Sequence, residues 1–424
     1  MKFMYSFGLF LYRMMIHFAA AAGNQKAGQW LNGRKNWPDQ LKVLTQKKEM
    51  RYWIHCSSLG EFEQGRPLIE EIRKREPKAE IILTFFSPSG FEIRKNYPLA
   101  DLVLYLPPDS PKNASQFIET INPDSVFFIK YDYWFYYLSI LQQRNIPVYM
   151  VSAIFRPTQI FFKWYGGFFK SMLKKVTYFF VQDDASADLL IRAGISRCTI
   201  TGDTRFDRVY AVSEAAMEIP ILGTFSRDNF VLIAGSTWPP DEDLIIETLH
   251  EMKLNKIKVI LVPHEVNPQS IRNLEARILK SGRDIRCQKY SQAFTETVSS
   301  ADVLIIDTIG LLSSAYRYSA VAYIGGGFGK GIHNILEAAA FGIPVLFGPN
   351  YKKFREASDL IRIAGAVSIR NPKEFSDEVF SLSQDNEKRE RAGRIAKEYV
   401  LSQTGATSRI LDFIGQSQHL KIDS

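Results

Sequence analysis

A chain of 424 residues exceeds the usual reach of one hydrophobic core, so two domains are expected. Its 46% hydrophobic and 23% charged residues are ordinary globular content and exclude wholesale disorder. A net charge of +8 suits anionic partners such as nucleotide phosphates or acidic lipids, while Cys56, Cys198 and Cys287, dispersed and without CxxC spacing, argue against a disulfide framework or a structural zinc site.

The chain opens on an apolar run, Phe3 to Ala22, about long enough to cross a bilayer core. It carries Arg13 and His17, and one arginine at mid-membrane costs roughly 3 kcal/mol on insertion scales. An interfacial helix lets both side chains snorkel to the headgroups while Phe, Leu and Met enter the acyl boundary, and residues 1–30 are assigned to such an anchor. A spanning helix and a signal peptide cleaved in the Ala19–Gly23 region are the alternatives.

From Met50 strands and helices alternate. Strands are expected at Arg51–Ser57, Glu80–Phe86, Asp101–Leu106, Ser125–Ile129, Val148–Ser152 and Tyr178–Val181, with helices over Gly60–Arg75, from near Phe91, up to Leu141 and over Asp183–Ala193. Ile219–Arg227 has the Pro, Gly and polar content of a linker. A second series follows, with strands at Asn229–Ala234, Lys258–Val262, Val303–Asp307, Ala320–Ile324 and Pro344–Phe347, and mainly helix over Pro372–Ser424. The result is an α/β chain of two Rossmann-like domains, residues 31–218 and 219–400, with a cleft between them and a C-terminal helix, 401–424, placed to pack back on the first domain.

The densest motif lies in the second half. Gly325, Gly326 and Gly327 follow an apolar strand and lead through His333 and Asn334 into a helix bearing Glu337. Glycines let a backbone approach a phosphate, a helix N-terminus adds N–H groups and positive dipole, and a carboxylate one turn inside it suits ribose hydroxyls. A plain strand-to-helix turn is the simpler reading. Gly235-Ser236-Thr237 ends another strand, where small hydroxyl residues cap a helix or bind phosphate. His264, in Pro263-His264-Glu265, ends a third. The scattered histidines, with no HExxH, give no reason to expect a tightly held metal.

In the first half, His55-Cys56-Ser57-Ser58-Leu59-Gly60-Glu61 runs from strand into helix. Glu61 could serve as general base toward a sugar hydroxyl or simply cap the helix; the helix N-terminus lowers its pKa and burial raises it. Asp132, in Lys130-Tyr131-Asp132-Tyr133-Trp134, could meet a cation, orient an acceptor or cap the next helix. Phe155–Lys175 interleaves Phe161, Phe162, Trp164 and Tyr165 with Lys163, Lys170 and Lys174. That pattern suits an anionic membrane interface, single-stranded nucleic acid, or an amphipathic helix with an aromatic core face.

Taken together, these motifs resemble the 3-deoxy-D-manno-octulosonic acid (Kdo) transferases of lipopolysaccharide biosynthesis. The resemblance runs from the apolar N-terminus and Trp30–Lys35 through Ser58–Glu61, Leu106–Asp109, Gly202–Asp207 and Gly235–Thr237 to His333-Asn334…Glu337 and Gly342–Pro349. It implies a GT-B fold and an inverting transferase with CMP-Kdo as donor and no tightly bound cofactor or metal. It further implies the lipid A precursor as acceptor, at the cytoplasmic face of the inner membrane. In that frame Glu61 matches the general base, and Gly235–Thr237, Gly325–Gly327, His333, Asn334 and Glu337 the donor site, with residues 31–218 binding acceptor and 219–400 donor. The chain departs from the family where Lys130 and Asp132 stand in place of a Glu-Thr-Glu pattern, and where Pro263-His264-Glu265 replaces Pro-Arg-His; Arg205 is a candidate for the missing positive charge. Another nucleotide-sugar transferase, a UDP-sugar epimerase and a basic nucleic-acid-binding protein are the alternatives, and no nucleic acid partner is expected.

Overall fold

The computed structural model describes residues 1–44, 47, 49–281 and 284–422, with side chains up to residue 416. It contains two compact units: Met1–Arg208 together with Thr404–Ser424, and Val209–Gln403. The division thus falls inside the helix Arg205–Glu214 rather than at 218/219. The segment Pro220–Ser226, expected as linker, is a short helix whose Leu222 and Phe225 are buried.

The first unit is built on a seven-stranded sheet: β1 (Arg51–Cys56), β2 (Glu80–Phe85), β3 (Leu102–Tyr105), β4 (Ser125–Ile129), β5 (Val148–Ala153), β6 (Tyr178–Val181) and β7 (Cys198–Ile200). The order is β3-β2-β1-β4-β5-β6-β7, and every pairing is parallel. Helices cover both faces, which is why β1 and β4 are buried at every position. One face packs Trp53, Phe117, Phe128 and Tyr137; the other packs Phe62, Phe85 and Phe127. The strand order reverses between β1 and β4, the place where open α/β sheets bind ligands beyond their carboxyl ends.

The second unit repeats the plan with β8 (Phe230–Thr237), β9 (Ile257–Pro263), β10 (Cys287–Lys289), β11 (Val303–Ile305), β12 (Val321–Ile324), β13 (Val345–Phe347) and β14 (Ala366–Ser368), in the order β10-β11-β9-β8-β12-β13-β14. Its reversal lies between β8 and β12. Strands β7, β10 and β14, each of only three residues, are not among the expected ones; they carry no apolar run and gain their pairing from the neighbouring strand.

The helix Ala406–Ile422 returns to the first unit. Ile410 and Ile414 enter its core, and Phe413 stacks on Tyr178 at 4.3 Å. Asp207 fixes its start, accepting from Gly405 N at 2.5 Å, Thr407 N at 2.7 Å and the Thr407 hydroxyl at 2.6 Å. That gives Asp207, the end of the Gly202–Asp207 motif, a capping role. Residues 423 and 424 lie outside the described residues.

The N-terminal helix, Lys2–Ala21, has no fully buried residue. One side docks on the first unit: the Tyr5 hydroxyl donates to Asp109 at 2.7 Å, Ser6 meets the Tyr136 hydroxyl at 2.6 Å, and Tyr12 packs on Trp30 and Phe86. The other side exposes Phe3, Phe7, Met15 and Phe18. Among the described residues, no helix is long and apolar enough to cross a membrane.

Candidate active site

At the reversal of the first sheet, Ser57 follows β1 and Lys130 to Asp132 follow β4. Ser58 is the N-cap of the helix Leu59–Arg75, its hydroxyl accepting from Glu61 N, while Glu61 Oε2 accepts from Ser57 N at 2.5 Å. Glu61 therefore does cap, as the simpler reading held, yet its carboxyl is not an ordinary one. Burial, and next the nearby Asp132, push it up to about 8 against the lowering effect of the Ser57 N–H, Lys130 and the Ser58 N-cap contact. Burial thus outweighs the helix start.

Asp132 caps nothing. Its Oδ2 lies 2.8 Å from His55 Nε2 and also accepts from the Ser57 hydroxyl. With Nε2–H given to Asp132, His55 Nδ1 is left to accept from Thr84 Oγ1 at 2.8 Å, and that oxygen takes the Trp53 Nε1–H at 2.8 Å. Trp134 Nε1, 3.4 Å from the same His55 Nε2, is too distant to compete and packs there instead. The helix Phe135–Gln143 is capped from elsewhere: Asp109 accepts from Tyr136 N and Tyr137 N, each at 3.1 Å. His55 was not singled out by sequence. Its place two residues before Ser57 on a wholly buried strand was the available signal.

The second unit gathers a different set at its own reversal. Trp238, directly after β8, His264 after β9 and His333 beyond β12 form a parallel stack. Centroids are 4.6 Å apart for Trp238–His264 and 4.4 Å for His264–His333. Trp238 Nε1 donates to His333 Nε2 at 2.9 Å, which leaves the neutral ring's proton on Nδ1. Burial, then His264, lowers the His333 pKa. Asp241 ties the two loops together, accepting from Trp238 N at 2.9 Å, Gly326 N at 2.8 Å and the Tyr323 hydroxyl at 2.7 Å.

These contacts correct the reading of the glycine loop. Gly325 N is bonded to Gly235 O at 2.9 Å and Gly326 N to Asp241, so neither is left for a phosphate. Gly326 has φ +90°, and a Cβ on Gly327 would lie 2.5 Å from Gly348 N. The glycines serve close backbone packing between adjacent loops. The following helix, Leu336–Ala340, has five residues, and Glu337 is in its first turn, not a turn inside. Asn334 accepts from Leu336 N at 3.2 Å and donates to Glu337 Oε1 at 3.0 Å. Ser236, at φ +54°, and the buried Thr237 do not cap the next helix; Trp238 and Asp241 do. Arg205 belongs to the first unit, where its Nε is ion-paired with Asp203 at 2.8 Å.

Residues 35–208 match the family model described as 3-deoxy-D-manno-octulosonic-acid transferase (kdotransferase). Curated relatives extend the likeness: 3-deoxy-D-manno-octulosonic acid transferases of Haemophilus influenzae (27% identical; 85% of this chain and 86% of that protein) and Aquifex aeolicus (26%; 78% and 85%). Over these spans the chain is similar to Kdo transferases. Glu61, Asp132 and His55 all fall within the span that matches the Kdo transferase model. By fold alone the chain is similar to a UDP-GlcNAc 2-epimerase from Neisseria meningitidis, with TM-score 0.61 and 16% identity over 87% of this chain and all of that one. A putative UDP-N-acetylglucosamine 2-epimerase from Listeria monocytogenes gives TM-score 0.60 and 16% identity over 88% and 97%. At such identity the likeness concerns architecture and brings no epimerase chemistry with it.

Proposed function

We propose that the chain is an inverting transferase of the GT-B type that moves Kdo from CMP-Kdo to a hydroxyl of the lipid A precursor, lipid IVA. The observation that carries this is Glu61: a half-buried carboxyl, raised to about 8, at the sheet reversal of a domain similar to Kdo transferases. The acceptor oxygen attacks the anomeric carbon, the bond to CMP breaks, the hydroxyl proton passes to Glu61, and CMP leaves as the phosphate anion. Asp132, held by His55 and Ser57, fixes the environment that keeps Glu61 basic. Donor recognition falls to His264, His333, Asn334 and Glu337, on the scaffold formed by Gly235–Thr237 and Gly325–Gly327.

The N-terminal helix lies in the interface of the inner membrane on the cytoplasmic side. Its exposed Phe3, Phe7, Phe10 and Phe18, and the exposed Trp164 and Tyr165 beside Lys163 and Lys170, support this reading and an anionic membrane surface as partner. The test of function is Kdo incorporation from CMP-Kdo into lipid A precursor by wild type and Glu61→Gln. No transfer by wild type would sink the proposal, and full activity in the variant would remove Glu61 as base. The test of the anchor is flotation with anionic vesicles: Phe3→Ser with Phe7→Ser and Phe18→Ser should stay in the soluble fraction, and unchanged flotation overturns it.

A further inference from the structure

Between the N-terminal helix and the first unit lies a cavity of about 150 Å³, walled by Leu9, Phe10, Trp30, Phe86, Trp134 and Tyr136, with Arg13 at its lining. Its inner wall is tied together by hydrogen bonds and ring contacts. Arg34, buried, donates Nε to Leu106 O at 2.8 Å, Nη1 to Trp30 O at 3.2 Å and Nη2 to Phe86 O at 2.7 Å, and its guanidinium lies 3.9 Å from the Trp30 ring centre. Trp134 and Phe86 pack at 4.8 Å. Asp109, also in the lining, is already engaged by Tyr5 and by two backbone N–H groups of the helix Phe135–Gln143. A polar guest therefore finds few open partners here, whereas an apolar one finds preformed aromatic walls.

Two chains of non-covalent contacts join this cavity to the carboxylate pair. Trp134 contacts His55, which holds Asp132, and Ser87, next to Phe86, donates its N–H to Ser57 O at 2.7 Å. The outer wall is the helix whose opposite side exposes a row of phenylalanines. The volume is close to that of apolar cavities that admit a benzene-sized guest: roughly enough for part of one hydrocarbon chain and too little for a disaccharide.

We propose that this cavity is an acyl-chain subsite, which takes one chain of the lipid-borne acceptor while Arg13 meets an anionic group of its head. The inference rests on the transferase reading above and adds the part of the substrate that the site grips. A chain seated between Leu9 and Trp134 leads its sugar toward Glu61, so binding energy from an unreactive part of the acceptor orients the reacting hydroxyl.

The test uses the full-length protein and two acceptors, the acylated disaccharide phosphate and its fully deacylated counterpart. Leu9→Trp fills the cavity, and the ratio of kcat/KM for the acylated acceptor to that for the deacylated one should fall at least about tenfold relative to wild type. An unchanged ratio overturns the subsite. A second readout needs no variant: an acceptor with a diazirine near the end of an acyl chain, photolysed on wild-type protein, should label peptides holding Trp30, Phe86 or Trp134. Label confined to Phe3, Phe7 and Phe18, or capture of those cavity peptides only by a diazirine phospholipid, overturns it. Transfer to the deacylated acceptor by wild type keeps the transferase reading intact even where the subsite fails.

Discussion

Asp132 Oδ2 accepts from His55 Nε2, 2.8 Å away, and from the Ser57 hydroxyl, and the neighbouring Glu61 carboxyl is pushed up to about 8 by burial first and by Asp132 next. A like charge beside a desolvated carboxyl disfavours its ionised form. Strand placement brings the groups together: His55 and Ser57 stand at the end of β1, and Asp132 beyond β4.

The first prediction follows from the raised Glu61 carboxyl. A base that titrates near 8 is about one-tenth ionised at pH 7 and half ionised at pH 8, so kcat/KM should climb roughly fivefold over that interval. Glu61→Gln should lose on the order of 10²- to 10⁴-fold and the pH dependence with it. The sign for stability is opposite to that of activity. The folded carboxyl, raised above its ordinary 4.5, holds a proton that the unfolded one has released, so its contribution to stability falls as pH rises from about 4.5 to about 8. Melting temperatures of wild type and Glu61→Gln across that window check it; parallel curves would contradict the raised value.

Lys130 supplies the second. Its charge lowers the Glu61 pKa, opposing burial and Asp132. Removing it in Lys130→Met should move the ascending limb of the kcat/KM profile to higher pH and cost activity several-fold at pH 7, with recovery at pH 9. Lys130→Glu, which adds a like charge, should move the limb further the same way. A limb that stays in place would show that Lys130 does not act on Glu61.

How much of this was legible differs between the two units. In the first, Glu61 and Asp132 lie near one another because each follows a long apolar strand and a parallel sheet brings such ends together. Their coupling through His55 was not legible, since a histidine inside a buried strand looks like core until its partners in three dimensions are known. In the second, the glycines of Gly325–Gly327 suggested a phosphate cradle, but glycine signals close approach without naming what approaches. The structure shows the neighbours to be the backbones of Ser236, Thr237 and Gly348. Trp238 was passed over because its meaning depends on His264 and His333, 26 and 95 positions further on. The helix Ala406–Ile422 was expected to return to the first domain, yet the residue that caps it, Asp207, lies 200 positions from Thr407.

Asp109 carries the third prediction. Burial pushes its carboxyl up to about 6, and it accepts from Tyr5 of the N-terminal helix and from the start of the helix Phe135–Gln143. Asp109→Ala leaves those donors unmet, at a cost of about 1–3 kcal/mol in stability, and frees the N-terminal helix to protease. Because the folded pKa is raised, this group's contribution declines as pH rises from about 4 to about 6, and Asp109→Asn should flatten that decline. Denaturant titrations with mass mapping of the first cleavage site decide it. Cleavage rates near residue 22 equal to wild type would show that Asp109 does not hold the helix.

Trp238 carries the last. Its Nε1–H is the group that fixes His333 with the proton on Nδ1, and its ring is the outer layer of the stack over His264. Trp238→Phe keeps an aromatic ring in the stack and deletes only the donor, so the loss is that of one net hydrogen bond, about 0.5–1.5 kcal/mol. If His333 presents Nδ1–H to the nucleotide, CMP should bind roughly two- to twelvefold more weakly to the variant, read by titration calorimetry. Nitrogen chemical shifts of the imidazole give the independent readout, because the wild-type ring should show a protonated Nδ1 and the variant a mixture of the two neutral forms. Weaker CMP binding with unchanged ring shifts would assign the effect to packing of the indole. Unchanged binding with altered shifts would place the nucleotide away from His333. Only the two changes together make Trp238 the residue that orients His333 toward the donor.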